Sequence, residues 1–152
     1  HEYSVAEYDR IMNINVKGAF LGIKYVIPVM LANGGGAIIN TVSSNSFKPT
    51  AYNGVYSATK HALAGLTKSI GQDYQDMNIF AVGVAPNNMK TNISAAAAVT
   101  FTPEIGTKIN ATTPPNIPAT AEEIADVVIF AMNSAKTLNG SIVNCAGGQI
   151  FG

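Results

Sequence analysis

Two short apolar runs rich in β-branched residues constrain this chain most: AIINTV at 37–42 and NIFAVGVA at 78–85. Each is too short for a buried helix and reads as a strand covered on both faces. A third run, GSIVNCAGG at 140–148, ends in glycines and reads as a last strand. Between them lie stretches with apolar residues at helical spacing. Ser4 and Glu7 form a capping box, and Tyr8, Ile11, Met12, Ile14, Val16, Phe20, Leu21, Ile23, Val26 and Ile27 follow. These predict a helix from about 5 to about 32, kinked near Pro28 and stopped by Gly34-Gly35-Gly36. A second helix is predicted from Tyr52 to about Gln75. A third opens at the capping box Thr120–Glu123 and runs to about 133. Residues 86–119, rich in Ala, Thr, Asn and Pro, read as one long irregular segment, which is usually functional and often a lid.

Strands that alternate with helices imply right-handed crossovers and a parallel sheet with helices on both faces. The expected fold is α/β, with three strands in the chain of 152 residues. A composition 47% hydrophobic and only 12% charged requires a large buried core or large faces hidden by a partner. Nine basic and nine acidic residues give zero net charge, which argues against a nucleic-acid surface built on phosphate neutralisation. No unbroken apolar run of membrane-spanning length is evident. The single cysteine, Cys145, cannot form an internal disulfide and favours a reducing, cytoplasmic compartment. Two histidines and one cysteine stand at no metal-ligand spacing, so no metal site is expected.

The chemistry gathers around VYSATKHAL at 55–63. Tyr56 and Lys60 are four apart on a predicted helix and therefore share a face. A phenol is ordinarily a poor acid–base catalyst at neutral pH, with a pKa of about 10. A lysine ammonium one turn away favours the phenolate, and makes Tyr56 a candidate acid for a carbonyl or base for an alcohol. Tyr-x-x-x-Lys alone is also a common arrangement on ordinary helix faces. Ser43 strengthens the reading: it follows the first strand at the sheet edge where open parallel sheets bind ligands. Its hydroxyl there can donate to an oxygen gaining negative charge.

At this point the chain resembles the short-chain dehydrogenase/reductases, in their single-domain branch. The resemblance rests on INVKGAFLGIKYVIPVM, GAIINTVSS, VYSATKHALAGLTKSI, VAPNNMKTNI and EEIADVVIFAMNSAKTLNGSIVNCAGG, in this order and at fitting distances from about residue 5 to the end. It implies a Rossmann-like doubly wound sheet, of which 1–152 would be the C-terminal part of one NAD(P)-binding domain, with a substrate lid at about 92–119. It implies hydride transfer between NAD or NADP and a small carbonyl or alcohol. Tyr56 would handle the proton, and Lys60 would bind the nicotinamide ribose and lower the Tyr56 pKa. Ser43, selected over Ser44 by its thirteen-residue distance from Tyr56, would polarise the substrate oxygen. Asn15 would hold a relay water through a local break in helix geometry. Thr91 and the backbone near Met89 would bind the carboxamide, with Pro86 and Asn87 shaping the approach. The resemblance also implies a homodimer or homotetramer through the first two helices. Val26, Val29 and Met30 on one, and Ala62, Leu66 and Ile70 on the other, are the expected contact faces.

Departures are visible too. Asn87 stands for the family's glycine after proline, and asparagine tolerates left-handed geometry better than most residues. Phe80, Gly83 and Ala146 replace arginine, asparagine and aspartate. The family's glycine-rich pyrophosphate turn at a helix N-terminus is not found: the glycines at 34–36 stop a helix and precede a strand. The expectation is a portion of a dehydrogenase that is inactive alone, with one unpaired strand edge. A serine hydrolase pairing Ser43 with His61 lacks a Gly-x-Ser-x-Gly elbow. A nucleotide-sugar epimerase or dehydratase shares Tyr-x-x-x-Lys but typically carries an added substrate domain. A non-catalytic binding or scaffold protein on the same fold is the stronger alternative.

Overall fold

A computed structural model describes residues 1–91, 102–112 and 118–147. The first rod comprises α1 (Val5–Met12), a π-helical turn (Asn13–Lys17) and α2 (Gly18–Ala32). Ser4 caps it as expected, its hydroxyl oxygen accepting from the Glu7 amide at 3.2 Å. It ends in a Schellman motif: Gly34 adopts φ +85°, and the Gly35 amide donates to the Met30 carbonyl at 2.8 Å. β1 (Gly36–Thr41) leads to a 3₁₀ turn (Ser44–Ser46) and then to α3 (Gly54–Tyr74). A second 3₁₀ turn (Gln75–Met77) and the left-handed Asn78 deliver β2 (Ile79–Pro86). α4 (Pro103–Thr112), α5 (Ala121–Asn133) and β3 (Ile142–Cys145) follow.

The three strands are parallel in the order β1-β2-β3, with Gly36 opposite Ile79 and Gly83 opposite Ile142. β2 is the centre, and its period-two alternation divides the core. Ile79 and Ala81 pack with Ile23, Ile27, Ile38 and Ile70 beneath α2 and α3. Val82 and Val84 face the other way, against Ile124, Ala131 and Ala135, from α5 and the turn after it. Near the C-terminal end of the sheet, Ala85 returns to the α3 side with Val42, Leu63 and Ala64. Helices therefore cover both faces, as the alternation of elements requires.

Three expectations change. β1 is not buried on both faces: only Ile38 among its residues is buried, and among the described residues β1 is an edge strand with β2 as its one strand neighbour. Residues 86–119 are not wholly irregular, since α4 lies within them. The proposed lid at 92–119 falls partly on 92–101 and 113–117, outside the described residues. The expected contact faces also shift. Ile70 belongs to the core, and Val26 and Met30 pack against it, whereas Phe20, Leu21, Tyr25, Val29 and Leu31 are exposed.

The rod Val5–Ala32 is long and apolar enough, by length and composition, to cross a membrane. The search for an unbroken apolar run missed it because Lys17 and Lys24 interrupt the sequence. Here its Ile23 and Ile27 are packed on the sheet.

Candidate active site

The site lies beyond the C-terminal ends of β1 and β2, where parallel sheets present ligand crevices. Val42 continues β1 by one bond, its amide donating to the Val84 carbonyl at 2.9 Å. The chain then turns sharply at Ser43. The Ser43 hydroxyl accepts from the Asn45 amide at 3.2 Å, and the Ser43 amide donates to the Ser46 hydroxyl at 3.3 Å. This reciprocal capping box fixes Ser43 in extended backbone at the mouth of the sheet. The Ser46 hydroxyl in turn donates to the Lys60 carbonyl at 3.0 Å, tying the serine turn to α3.

Asn45 holds the rest of the loop. Its buried Oδ1 accepts from the Thr50 amide at 2.9 Å, the Thr50 hydroxyl at 3.2 Å and the Ser57 hydroxyl at 3.2 Å. The start of α3 is thereby pinned to the end of β1. Tyr56 and Lys60, one turn apart, face the same side. The Lys60 Nζ stands 5.7 Å from the centroid of the Tyr56 ring, within reach of a cation–π attraction. Lys60 also donates to the Thr41 carbonyl at 2.9 Å. Burial lowers the Lys60 pKa below its ordinary value, because an ammonium loses hydration there.

One cleft of about 520 Å³ is lined by Thr41, Val42, Ser43, Tyr56, Lys60, Pro86, Asn87, Asn88, Met89 and Thr91. Seven of the eight expected site residues thus share one cavity. The eighth, Asn15, does not line it. It sits in the π-helical turn, and its Nδ2 donates to the Thr59 hydroxyl at 3.2 Å; that hydroxyl donates to the Tyr56 carbonyl at 2.7 Å. His61 is outside the cleft as well: it is exposed, and its Nδ1 lies 2.9 Å from the Ser57 carbonyl. Ser43 thus has no histidine beside it in the cavity, which removes the geometric basis for a serine hydrolase.

The segment after β2 is short and tied down. Asn87 does not adopt left-handed geometry: among the described non-glycine residues only Tyr52 and Asn78 have positive φ. Met89 bridges to Ala119, the Lys90 amide donates to the Ala119 carbonyl at 2.9 Å, and the Thr91 amide donates to the Met89 carbonyl at 2.9 Å. Gly83 has a packing reason to differ from asparagine, since a Cβ there would meet the Ile142 side chain. Ala146 is buried, and Phe80 packs on the α5 side of the core. Neither lines the cleft.

Sequence reasoning missed Asn45, Thr59 and Ser44. Asn45 and Ser44 act through hydrogen bonds from the serine turn to Thr50, Ser57 and Asn87, and Thr59 through bonds from α3 to Asn15 and to the Tyr56 carbonyl. The sequence signal for Ser44 and Asn45 was the polar density of 43–46 directly after an apolar strand; Thr59 had none.

A family model described as short chain dehydrogenase matches residues 1–100. The chain belongs to the short-chain dehydrogenase family. An uncharacterised oxidoreductase of Thermotoga maritima is 36% identical over 152 residues, covering 97% of this chain and 60% of that protein. Levodione reductase of Leifsonia aquatica is 30% identical, covering 97% of this chain and 57% of that protein. The crystal structure of a gluconate 5-dehydrogenase from Burkholderia cenocepacia, in complex with NADP and tartrate, superposes with a TM-score of 0.83. It is 27% identical, and the match covers 97% of this chain and 57% of that one. This family chain therefore spans somewhat more than half the length of the relatives it matches, and the likeness supports the Rossmann-like assignment of its three parallel strands.

Proposed function

We propose that this chain carries the proton-handling part of an NAD(P)-dependent dehydrogenase that interconverts a carbonyl and an alcohol. The observation that carries the reading is the convergence of Ser43, Tyr56 and Lys60 on one cleft at the C-terminal edge of a parallel sheet. Its volume is in the range of small-molecule sites. Its donor set fits the nicotinamide end of a dinucleotide. Lys60 uses one of its three N–H donors on Thr41 and keeps two for a ribose. Pro86, Asn87, Met89 and Thr91 line the same cleft. The cofactor, when bound, supplies or accepts the hydride.

The chain's own groups would do the rest. In reduction, the Tyr56 hydroxyl gives its proton to the substrate oxygen as negative charge builds there. The Lys60 ammonium stabilises the phenolate left behind, an attraction strengthened by partial burial. Ser43, held by its capping box, donates a hydrogen bond to the same oxygen. Asn15 would hold a water that links Lys60 to solvent as a proton relay. Its place in a π-helical turn bonded to Thr59 supports this role, since such turns recur at functional sites. The whole of 1–152 is one part of a single Rossmann-like domain. The exposed apolar residues of α2 support an oligomeric contact through the first two helices. On this reading the 152 residues alone lack a pyrophosphate turn and are inactive.

The whole gene product should oxidise NADH or NADPH only when a carbonyl compound is added, and should run backward with the corresponding alcohol. Consumption of neither cofactor across aliphatic, cyclic and dicarbonyl substrates, with the nucleotides bound, would favour the non-catalytic reading instead.

A further inference from the structure

Asn87 follows Pro86, the last residue of β2, and forms part of the cleft wall. Its Oδ1 accepts from the Ser44 hydroxyl at 2.9 Å. The other end, Nδ2, is buried and has no hydrogen-bond partner. Among the described residues it is the one buried side-chain nitrogen or oxygen in that state. The other asparagine amides near the sheet are paired: Asn15 to Thr59, Asn40 to Thr67, and Asn139 to both Gly71 and Ala81. Buried donors are nearly always satisfied, because a dry N–H without an acceptor loses the water bond it had and gains nothing. A fold that pairs these amides yet leaves one donor dry at a cleft wall has kept it for an acceptor that arrives with the ligand.

We propose that Asn87 is a ligand-binding residue, its Nδ2 donating to an acceptor oxygen of the molecule in the cleft. The assignment rests on the dehydrogenase reading and goes beyond it. It gives the side chain, not only the backbone turn, a role, and it makes Ser44 the positioning residue that aims the amide. The acceptor is a carbonyl-type oxygen. Two sources carry one: the nicotinamide carboxamide, or a second oxygen on the substrate beside the reacting carbonyl.

The test uses the whole gene product and three variants, Asn87→Ala, Asn87→Asp and Ser44→Ala. Asn87→Asp matches the amide in shape and still accepts from Ser44, but puts an oxygen where the donor was. Thermal melting establishes that each variant is folded. Calorimetry gives the affinities for NADH and for ADP-ribose, which lacks the nicotinamide; the 2′-phosphorylated pair replaces them if that is the pair bound. Steady-state reduction of 2,3-butanedione, which carries a second carbonyl oxygen, gives KM. The expected result is a loss of about tenfold, or about 1.4 kcal/mol, for both Asn87 variants in one arm. Loss for NADH with ADP-ribose unchanged identifies the carboxamide oxygen. Unchanged nucleotide affinity with a raised KM identifies the substrate oxygen. Ser44→Ala should shift the same arm by a smaller factor. Asn87→Asp equal to wild type in both arms overturns the assignment. A wild type that binds neither nucleotide defeats the dehydrogenase reading itself, and this assignment with it.

Discussion

The Lys60 ammonium donates to the carbonyl of Thr41, the last residue of β1, at 2.9 Å. The side chain is thus held by the strand end whose next residues, Val42 and Ser43, form the cleft mouth. The same contact takes Lys60 partly out of water, and burial lowers its pKa from 10.5.

The pH dependence of stability follows in sign. Between the lowered folded value and 10.5 the unfolded chain binds more protons than the native one, so stability rises with pH in that window. The burial penalty is fully present below the folded pKa and is relieved as pH climbs toward 10.5. Lys60→Met should lose this rise. Urea unfolding of both proteins from neutral pH upward checks it: the stability difference should move in favour of wild type with increasing pH, and parallel curves would contradict the assignment.

Asn45 is expected to be the main support of the serine turn. Asn45→Ala leaves the Thr50 amide, the Thr50 hydroxyl and the Ser57 hydroxyl without their shared acceptor. The cost should be about 1–3 kcal/mol, read as a lower urea midpoint at unchanged slope. Asn45→Asp keeps an acceptor and should recover part of the loss. Equal stability of Asn45→Ala and wild type would show that the loop is held otherwise.

That network explains how unevenly the sequence could be read. The helices were legible because Ser4, Gly34 and Thr120 mark their ends through local chemistry: a cap, a left-handed φ and a capping box. β2 was legible because it is buried along nearly its whole length, so an apolar run suffices to reveal it. β1 was misjudged because burial depends on neighbours that a local pattern does not encode. α4 was missed because Pro103, Gly106 and the threonines of its segment are weak helix formers.

Within the site, Tyr56 and Lys60 were readable from helical spacing, and Ser43 from its place at a strand end. The supports were not. Asn45 reaches Ser57 across 12 positions, and Ser44 reaches Asn87 across 43. Only the tertiary fold brings such pairs together.

Gly83 should resist substitution for steric reasons. A methyl group there meets the Ile142 side chain across the β2–β3 pair. Gly83→Ala is expected to cost about 1–3 kcal/mol through overpacking. Because the obstacle is the outer methyl of a side chain, adding Ile142→Val should return part of it. A double-mutant cycle measures this, and additive effects would mean that the two residues do not collide.

Cys145 is expected to react slowly. Burial pushes its thiol pKa above 9.0, which keeps the nucleophilic thiolate scarce at neutral pH. Iodoacetamide labelling followed by mass spectrometry should be slower than for free glutathione and should accelerate only in alkaline solution. Rapid labelling at neutral pH would show that the thiol is more open than this packing allows.

The central claim is that the Tyr56 hydroxyl handles the proton, and Tyr56→Phe in the whole gene product tests it most directly. The ring packing is kept and one oxygen is removed. Single-turnover reduction of a carbonyl substrate should slow by at least a hundredfold, about 2.7 kcal/mol of barrier, while the calorimetric affinity for the cofactor stays within about twofold. A slowing of less than tenfold, with cofactor still bound, would mean that another group supplies the proton.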